Sequence, residues 1–140
     1  MVFQVFGAAW MRGRDVVDSL RAESLPGVEF HVHPYVARPQ EGKAPLLEGV
    51  RLVVTDPVRF RPTLTALAMV SVLQRLYGRR RLWARPGARP GFFDKLLGTS
   101  QVREALLAGE SAATIAARWR RPLAAFRAER RPWLLYPSTR

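Results

Sequence analysis

Apolar and polar residues alternate along the first half of the chain, and this two-residue period predicts β-strands. Residues 28–35 alternate strictly, with an apolar face that begins at Val28 and a polar face that ends at Tyr35. Residues 49–56 repeat the pattern, and residues 2–8 form a shorter run rich in Val and Phe. The pattern therefore predicts three strands.

Apolar residues recur every three or four positions elsewhere, which predicts helices. The clearest helix begins at Pro62, a residue favoured in the first turn, and ends at Gly78, which can adopt a left-handed conformation. Its apolar stripe consists of Leu64, Leu67, Val70, Leu73 and Tyr77. A shorter helix is predicted over residues 13–23. From residue 92 onward the chain is helical, and Pro122 must kink or restart the last helix.

These elements predict an α+β fold: a small mixed sheet of three to four strands packed by helices, with a helical carboxy-terminal third. Residues 80–84 are the possible fourth strand. We expect Trp119, Phe126 and Trp133 to be core residues, and residues 133–136 to close the chain as an apolar anchor. A chain of 140 residues fits one domain with its own core.

The charge balance is unusual, with 23 basic residues against 11 acidic ones and a net charge of +12. Only Lys43 and Lys95 are lysine. Arginine binds phosphates and carboxylates with paired hydrogen bonds, so a polyanion is one possible partner. The alternative is a GC-rich, thermophilic source whose codons favour arginine. The chain has no cysteine, which excludes disulfides and thiolate metal sites.

No targeting or membrane signal is evident in the sequence. Residues 1–10 lack a charged start followed by a long apolar run, and the apolar stretch 64–76 is too short and too polar to cross a bilayer. We therefore expect a soluble chain without membrane contact, cytoplasmic as given.

Candidate catalytic chemistry is sparse. Glu29, His31 and His33 share one strand face and could offer ligands to a metal, but no fourth ligand is evident, and we interpret them as the solvated or cleft-facing polar side of a half-buried strand. The sequence lacks a nucleophile motif, a phosphate-binding glycine loop and a dinucleotide fingerprint. We predict no catalytic residue, no metal site and no cofactor.

A set of short motifs occurs along the chain in a characteristic order. They are Phe6–Trp10, Leu25–Val28, Gly49–Val50, Val54–Asp56, Phe60–Pro62, Phe93–Leu96, Gly98–Thr99 and Trp133–Tyr136. In this order they resemble the carboxy-terminal half of the bacterial exo-β-N-acetylmuramidase family, over nearly the whole chain.

The resemblance implies a two-domain peptidoglycan glycosidase that removes N-acetylmuramic acid from the non-reducing end of peptidoglycan fragments. In that family the active site lies in a cleft between the domains, and the main catalytic carboxylate belongs to a Rossmann-like first domain, which is absent from this chain. Residues 1–140 would then be an accessory domain, inactive alone. Its partners would be the first domain, in cis or in trans, and a muramic-acid-containing fragment.

Three residues are the candidate substrate contacts. Lys43 could meet the lactyl carboxylate of muramic acid, Tyr35 could stack on a sugar ring, and Asp56 could supply a working carboxylate at a strand end. The alternatives are a solvated loop lysine, a tyrosine packed at a strand end, and a turn cap before Pro57. Gly42 stands where the family often has serine, which weakens the expected sugar contact from that loop.

Two other functions remain open at this stage. A nucleic-acid-binding module would use the arginine clusters at residues 79–81, 118–121 and 130–131. A free-standing interaction protein that has lost catalysis would instead expose an apolar surface and could form a homo-oligomer.

Overall fold

The computed structural model describes residues 4–37 and 44–136. Its strands are β1 (Val5–Phe6), β2 (Val28–Val36) and β3 (Leu46–Val54), which form one three-stranded antiparallel sheet in the order β1-β3-β2. The α+β fold is confirmed, and the sheet formed by the described residues is antiparallel throughout.

The remaining described elements are helical; the first lies between β1 and β2, and the others follow β3. They are α1 (Gly13–Ala22), α2 (Pro62–Tyr77), α3 (Arg79–Trp83), α4 (Pro90–Leu97), α5 (Gln101–Leu107), α6 (Ala112–Ala117), α7 (Arg120–Arg130) and a 3-10 helix (Arg131–Trp133). Gly78 and Gly98 end α2 and α4 with positive φ angles of 81° and 73°. Ser111 caps α6 through its hydroxyl, which accepts a hydrogen bond from the Thr114 amide.

The hydrophobic core lies between one face of the sheet and two layers of helix. Helix α1 packs on β2 and β3, and α2 packs on α1 and α6. The buried side chains at the centre come from all of these elements: Val16, Val17, Leu20, Phe30, Val50, Leu67, Val72, Leu106 and Ile115. Helix α2 is therefore the central helix, as the sequence predicts.

The buried faces of β2 and α2 differ in detail from the predicted ones. Val32 is 39% exposed, whereas its cross-strand partner Val50 is fully buried. On this face of the edge strand β2, burial falls along the chain from Phe30, which is 2% exposed, to Val32 and then Val36, which is 64% exposed. Around α2, the buried positions include Thr65 and Ala68, and the predicted stripe residue Leu73 is only partly buried. The buried positions of α2 are set by the helices that pack on it, which are α1, α3 and α6.

The prediction of a possible fourth strand at residues 80–84 is wrong, because this segment is helical. Trp83 donates a hydrogen bond from Nε1 to Gln74 Oε1 at 2.8 Å and packs edge to face against Phe93 at 5.1 Å. Gln74 also donates to the Leu106 carbonyl at 2.6 Å. A helical turn after Gly78 carries the indole ring back toward α2, and so short a segment has no periodicity to reveal this.

The predicted apolar anchor at the end of the chain is also wrong. We call residues 120–136 the carboxy-terminal arm; it contains α7, the 3-10 helix and the residues that follow. Trp119, just before it, packs against the core as predicted, but Phe126 and Trp133 are 56% and 82% exposed. No described element lies over them, and α7 has no buried residue.

None of the helices formed by the described residues combines the length and the apolarity that a bilayer crossing requires.

We expect truncation of the core to cost far more stability than truncation of the arm. Leu20→Ala removes a buried side chain between α1 and the sheet and should lower the free energy of unfolding by about 2–5 kcal/mol. Leu135→Ala, at a position that is 91% exposed, should change it by less than about 0.5 kcal/mol. Urea titration measures both, and equal losses would contradict the packing described above.

Candidate functional site

Tyr35 lies at one end of the sheet, on the face opposite α1. It pairs with Leu47 on the neighbouring strand β3, and its ring covers two glycines. A Cβ built at Gly49 would lie 2.6 Å from Tyr35 Cε1, and one built at Gly7 would lie 2.9 Å from the same atom. Only glycine leaves room for the ring at both positions. The sheet therefore holds Tyr35 in a fixed place while one part of the side chain stays accessible.

Three residues after Gly7, Trp10 packs against a second aromatic side chain, Tyr77. The rings of Trp10 and Tyr77 meet edge to face, with centroids 5.1 Å apart. The Arg85 guanidinium carbon lies 5.9 Å from the centroid of Trp10. The Tyr77 hydroxyl accepts a hydrogen bond from the Arg12 amide at 2.9 Å, which ties the end of α2 to this segment.

A cavity of about 570 Å³ opens beside these aromatic rings; its lining is Trp10, Tyr77, Arg80, Arg81, Ala84, Arg85 and Pro86. Trp10 Nε1 is buried and has no hydrogen-bond partner among the described residues. The ion pairs of the described residues do not include the three arginines. Aromatic faces and guanidinium groups together suit a ligand that carries both a carbon skeleton and a carboxylate.

We group Tyr35 with Trp10, Tyr77 and Arg85 as the aromatic–arginine end, because Gly7, which the Tyr35 ring covers, lies three residues before Trp10 in the chain. The segment that joins β2 to β3 leaves the sheet here, between the Ala37 amide and the Pro45 carbonyl, which are hydrogen-bonded at 3.0 Å. Lys43 belongs to this segment and lies outside the described residues.

Asp56 lies at the opposite end of the sheet. Val28 pairs with Val54, so Asp56 is at the start of β2, whereas Tyr35 is seven positions along that strand. At about 3.3 Å per residue the two sites are about 23 Å apart, too far to contact one sugar ring together.

The Asp56 side chain has a local structural role. Its Oδ1 accepts hydrogen bonds from the amides of Val58 at 2.9 Å and Arg59 at 3.2 Å. Its backbone amide donates to the Gly27 carbonyl at 3.3 Å. This is the turn cap that the sequence suggested as the alternative to a working carboxylate, and a contact to substrate stays a prediction.

On the polar face of β2, two side chains, Glu29 and His31, lie close together. His31 Nε2 lies 3.3 Å from Glu29 Oε2, and both side chains are largely exposed. Within residues 4–37 and 44–136, no group of three or more His, Cys, Asp or Glu side chains comes close enough to hold a metal ion.

Sequence reasoning did not identify Tyr77, Arg85 or Trp10 as candidate site residues. Trp10 was noted only within the Phe6–Trp10 motif, and Tyr77 only as part of an apolar helical stripe. The residues are up to 75 positions apart, and packing of α2 and α3 beside the Gly7–Trp10 segment brings them together. One signal in the sequence could have drawn attention to this region: Gly7 lies three residues before Trp10, and a glycine there permits a close approach of the backbone.

We predict that Gly49→Ala destabilises the fold by about 1–3 kcal/mol, because the added methyl group meets both a ring and a backbone oxygen. The second contact, with the Phe6 carbonyl oxygen at 2.9 Å, cannot be relieved by moving a side chain. Tyr35→Ala in the same chain should restore only part of the loss. Gly91→Ala is the control, because it has open space in α4 and should be neutral or stabilising in thermal unfolding.

Two substitutions at Asp56 separate its capping role from its charge. Asp56→Ala removes the acceptor of two amide hydrogen bonds and should cost about 1 kcal/mol of unfolding free energy. Asp56→Asn keeps an oxygen at that position and should cost less than half as much. Equal losses in urea titrations would show that the negative charge, and not the hydrogen-bond geometry, stabilises the turn.

Comparison with known proteins gives a consistent result. Residues 1–136 match the family described as exo-beta-N-acetylmuramidase NamZ, C-terminal. The chain is 27% identical over 134 residues to the peptidoglycan beta-N-acetylmuramidase NamZ of Bacillus subtilis (strain 168), covering 96% of this chain and 31% of that protein.

A solved structure has the same fold. The crystal structure of a DUF1343 family protein from Bacteroides fragilis NCTC 9343 superposes with a TM-score of 0.82 at 24% identity, covering 96% of this chain and 35% of that one. The chain thus spans about a third of the length of the proteins it matches. The resemblance found in the sequence is confirmed: this chain belongs to the family of carboxy-terminal domains of the exo-β-N-acetylmuramidase NamZ.

Proposed function

We propose that this domain is the non-catalytic, carboxy-terminal part of a muramidase-like glycoside hydrolase that acts on peptidoglycan fragments. The catalytic carboxylate would come from a Rossmann-like domain that precedes it, in cis or in trans. The observation that carries the proposal is the family match over residues 1–136, in a chain that covers only 31% of its Bacillus subtilis relative.

The acidic residues support this division of roles. Glycoside cleavage commonly uses two carboxyl groups, about 5–10 Å apart, that flank the scissile bond. Many of the described carboxylates already serve the fold: Glu23 pairs with Arg75, Asp94 with Arg103, Glu110 with Arg118, Glu48 accepts from the Gly13 amide, and Asp56 caps its turn. The bidentate hydrogen bonds from Arg103 to Asp94 also raise the pKa of Arg103.

The aromatic–arginine end is the surface that we propose faces the substrate. Tyr35 offers an aromatic ring to a pyranose, and the arginines beside Trp10 offer bidentate donors to a lactyl carboxylate. Lys43, which lies outside the described residues, stays the third predicted contact, to the same carboxylate. In this arrangement the domain binds and orients a muramic acid residue, and the preceding domain cleaves its glycosidic bond.

The test uses the Bacillus subtilis enzyme with its carboxy-terminal region replaced by this chain, assayed on a chromogenic muramic acid glycoside. We expect turnover by the joined protein and none by this chain alone. Tyr35→Ala should raise KM by about tenfold and change kcat much less, because ring stacking stabilises ground state and transition state alike. Tyr35→Phe should stay close to the unsubstituted protein if stacking is what matters.

Phe92→Ala is the matched control, because it truncates an exposed aromatic on α4 that does not line the Trp10 cavity. An unchanged KM in Tyr35→Ala, or turnover by this chain alone, would contradict the proposal. Circular dichroism of each variant establishes that the chain is folded.

Nucleic-acid binding remains the second candidate, because the net charge is +12 and three arginines line the Trp10 cavity. Titration with duplex DNA at several salt concentrations discriminates between the two. A phosphate-binding surface loses affinity steeply as salt rises, whereas stacking on a sugar does not.

A further inference from the structure

The carboxy-terminal arm presents aromatic and aliphatic side chains that the rest of the described chain leaves uncovered. Phe126 on α7 is 56% exposed, and Leu135 and Tyr136 after the 3-10 helix are 91% and 81% exposed. Large apolar side chains stabilise a protein when they are kept from water, so an arm without a partner forgoes much of that stabilisation. A run of this kind marks an interaction surface.

The arm also forms one wall of a groove. A cavity of about 620 Å³ lies between the beginning of α2, helix α6 and helix α7. The apolar part of its lining includes Leu64, Ala116, Trp119 and Leu123. Arginines stand along it: Arg61, Arg120 and Arg127. None of the ion pairs formed among residues 4–37 and 44–136 involves these three arginines.

We propose that the carboxy-terminal arm and this groove are the docking surface for the domain that precedes this one in the muramidase polypeptide. This inference rests on the proposed function, since it names the surface through which the accessory domain holds its partner. The segment seated in the groove would be apolar at its centre and flanked by acidic residues.

Charge selects this occupant over a second copy of the chain. The arm carries five arginines against one glutamate, Glu129, and the whole chain carries +12. Two copies meeting through their arms would bring like charges together, which disfavours the contact. A partner with acidic residues around an apolar segment would bury the aromatic groups and pair the arginines at the same time.

The length of the relatives beyond the matched region supports the same occupant. The match covers 31% of the Bacillus subtilis enzyme and 35% of the Bacteroides fragilis protein, at a position described as carboxy-terminal. Most of each relative therefore precedes the matched region and is long enough to supply a folded domain. The covalent link would keep that domain at a high effective concentration, so a modest interface suffices.

The experiment compares tryptic cleavage of the Arg127–Ala128 bond in this chain alone and in the joined protein, the Bacillus subtilis enzyme carrying this chain as its carboxy-terminal region. We expect cleavage to slow by about tenfold or more in the joined protein, because docking protects α7. Phe126→Ala together with Leu135→Ala should abolish most of that protection.

Phe92→Ala is again the matched control, since Phe92 is 57% exposed on α4, almost the same as Phe126, and lies outside the groove. It should leave the protection unchanged within about twofold. Equal cleavage rates in the two proteins, or equal effects of the two variants, would overturn the proposal.

Two measurements on this chain alone keep the proposal testable even if the joined protein does not fold. Hydrogen exchange should be fast in residues 120–136 and slow in α1 and β3. Strong protection of the arm would show that it packs on its own domain, against the proposal. Sedimentation as a dimer that Phe126→Ala dissociates would identify a second copy as the occupant, also against it.

The outcomes separate this inference from the proposed function. A protected arm in a joined protein that does not bind the muramic acid glycoside would overturn the proposed function and keep the docking surface. Turnover that depends on Tyr35, in a joined protein whose arm is cleaved as fast as before, would do the reverse.

Discussion

The close approach of three glycines is the constraint on which the arrangement of this domain depends. Gly7, Gly13 and Gly49 bring the end of β1, the start of α1 and the central strand β3 to one place. A Cβ at Gly13 would lie 2.7 Å from the Gly49 carbonyl oxygen, and one at Gly7 would lie 3.0 Å from the Gly49 Cα. Backbone atoms cannot move aside as side chains can, so these three positions need glycine.

The same contact organises both faces of the sheet. On the inner face, α1 begins close enough to β3 for Glu48 Oε2 to accept a hydrogen bond from the Gly13 amide at 3.1 Å, a favourable place for a carboxylate at a helix amino terminus. On the outer face, Tyr35 lies over Gly7 and Gly49. A short three-stranded sheet is stable here because α1 covers one side of it.

Much of the fold could be predicted from local pattern, and the parts that failed share a cause. The boundaries of α1, α2 and α6 follow from apolar spacing, Pro62, Gly78 and Ser111, all of which act within one or two turns. Residues 80–84 and the carboxy-terminal arm were mispredicted, because burial depends on what lies opposite a side chain. Trp83 has Gln74 and Phe93 as neighbours, whereas Phe126 and Trp133 have no covering element among the described residues.

The sequence by itself determined the α+β class, the order of the elements and, through ordered motifs, the family. It also gave Tyr35 as a candidate substrate contact, which stays a prediction, and two alternative roles for Asp56. Tertiary structure decided that Asp56 caps a turn, that Tyr35 lies at the other end of the sheet, and that Trp10, Tyr77 and Arg85 share one cavity. Periodicity reports which side of an element is apolar, whereas a site is defined by distances between elements far apart in the chain, and packing alone sets those distances.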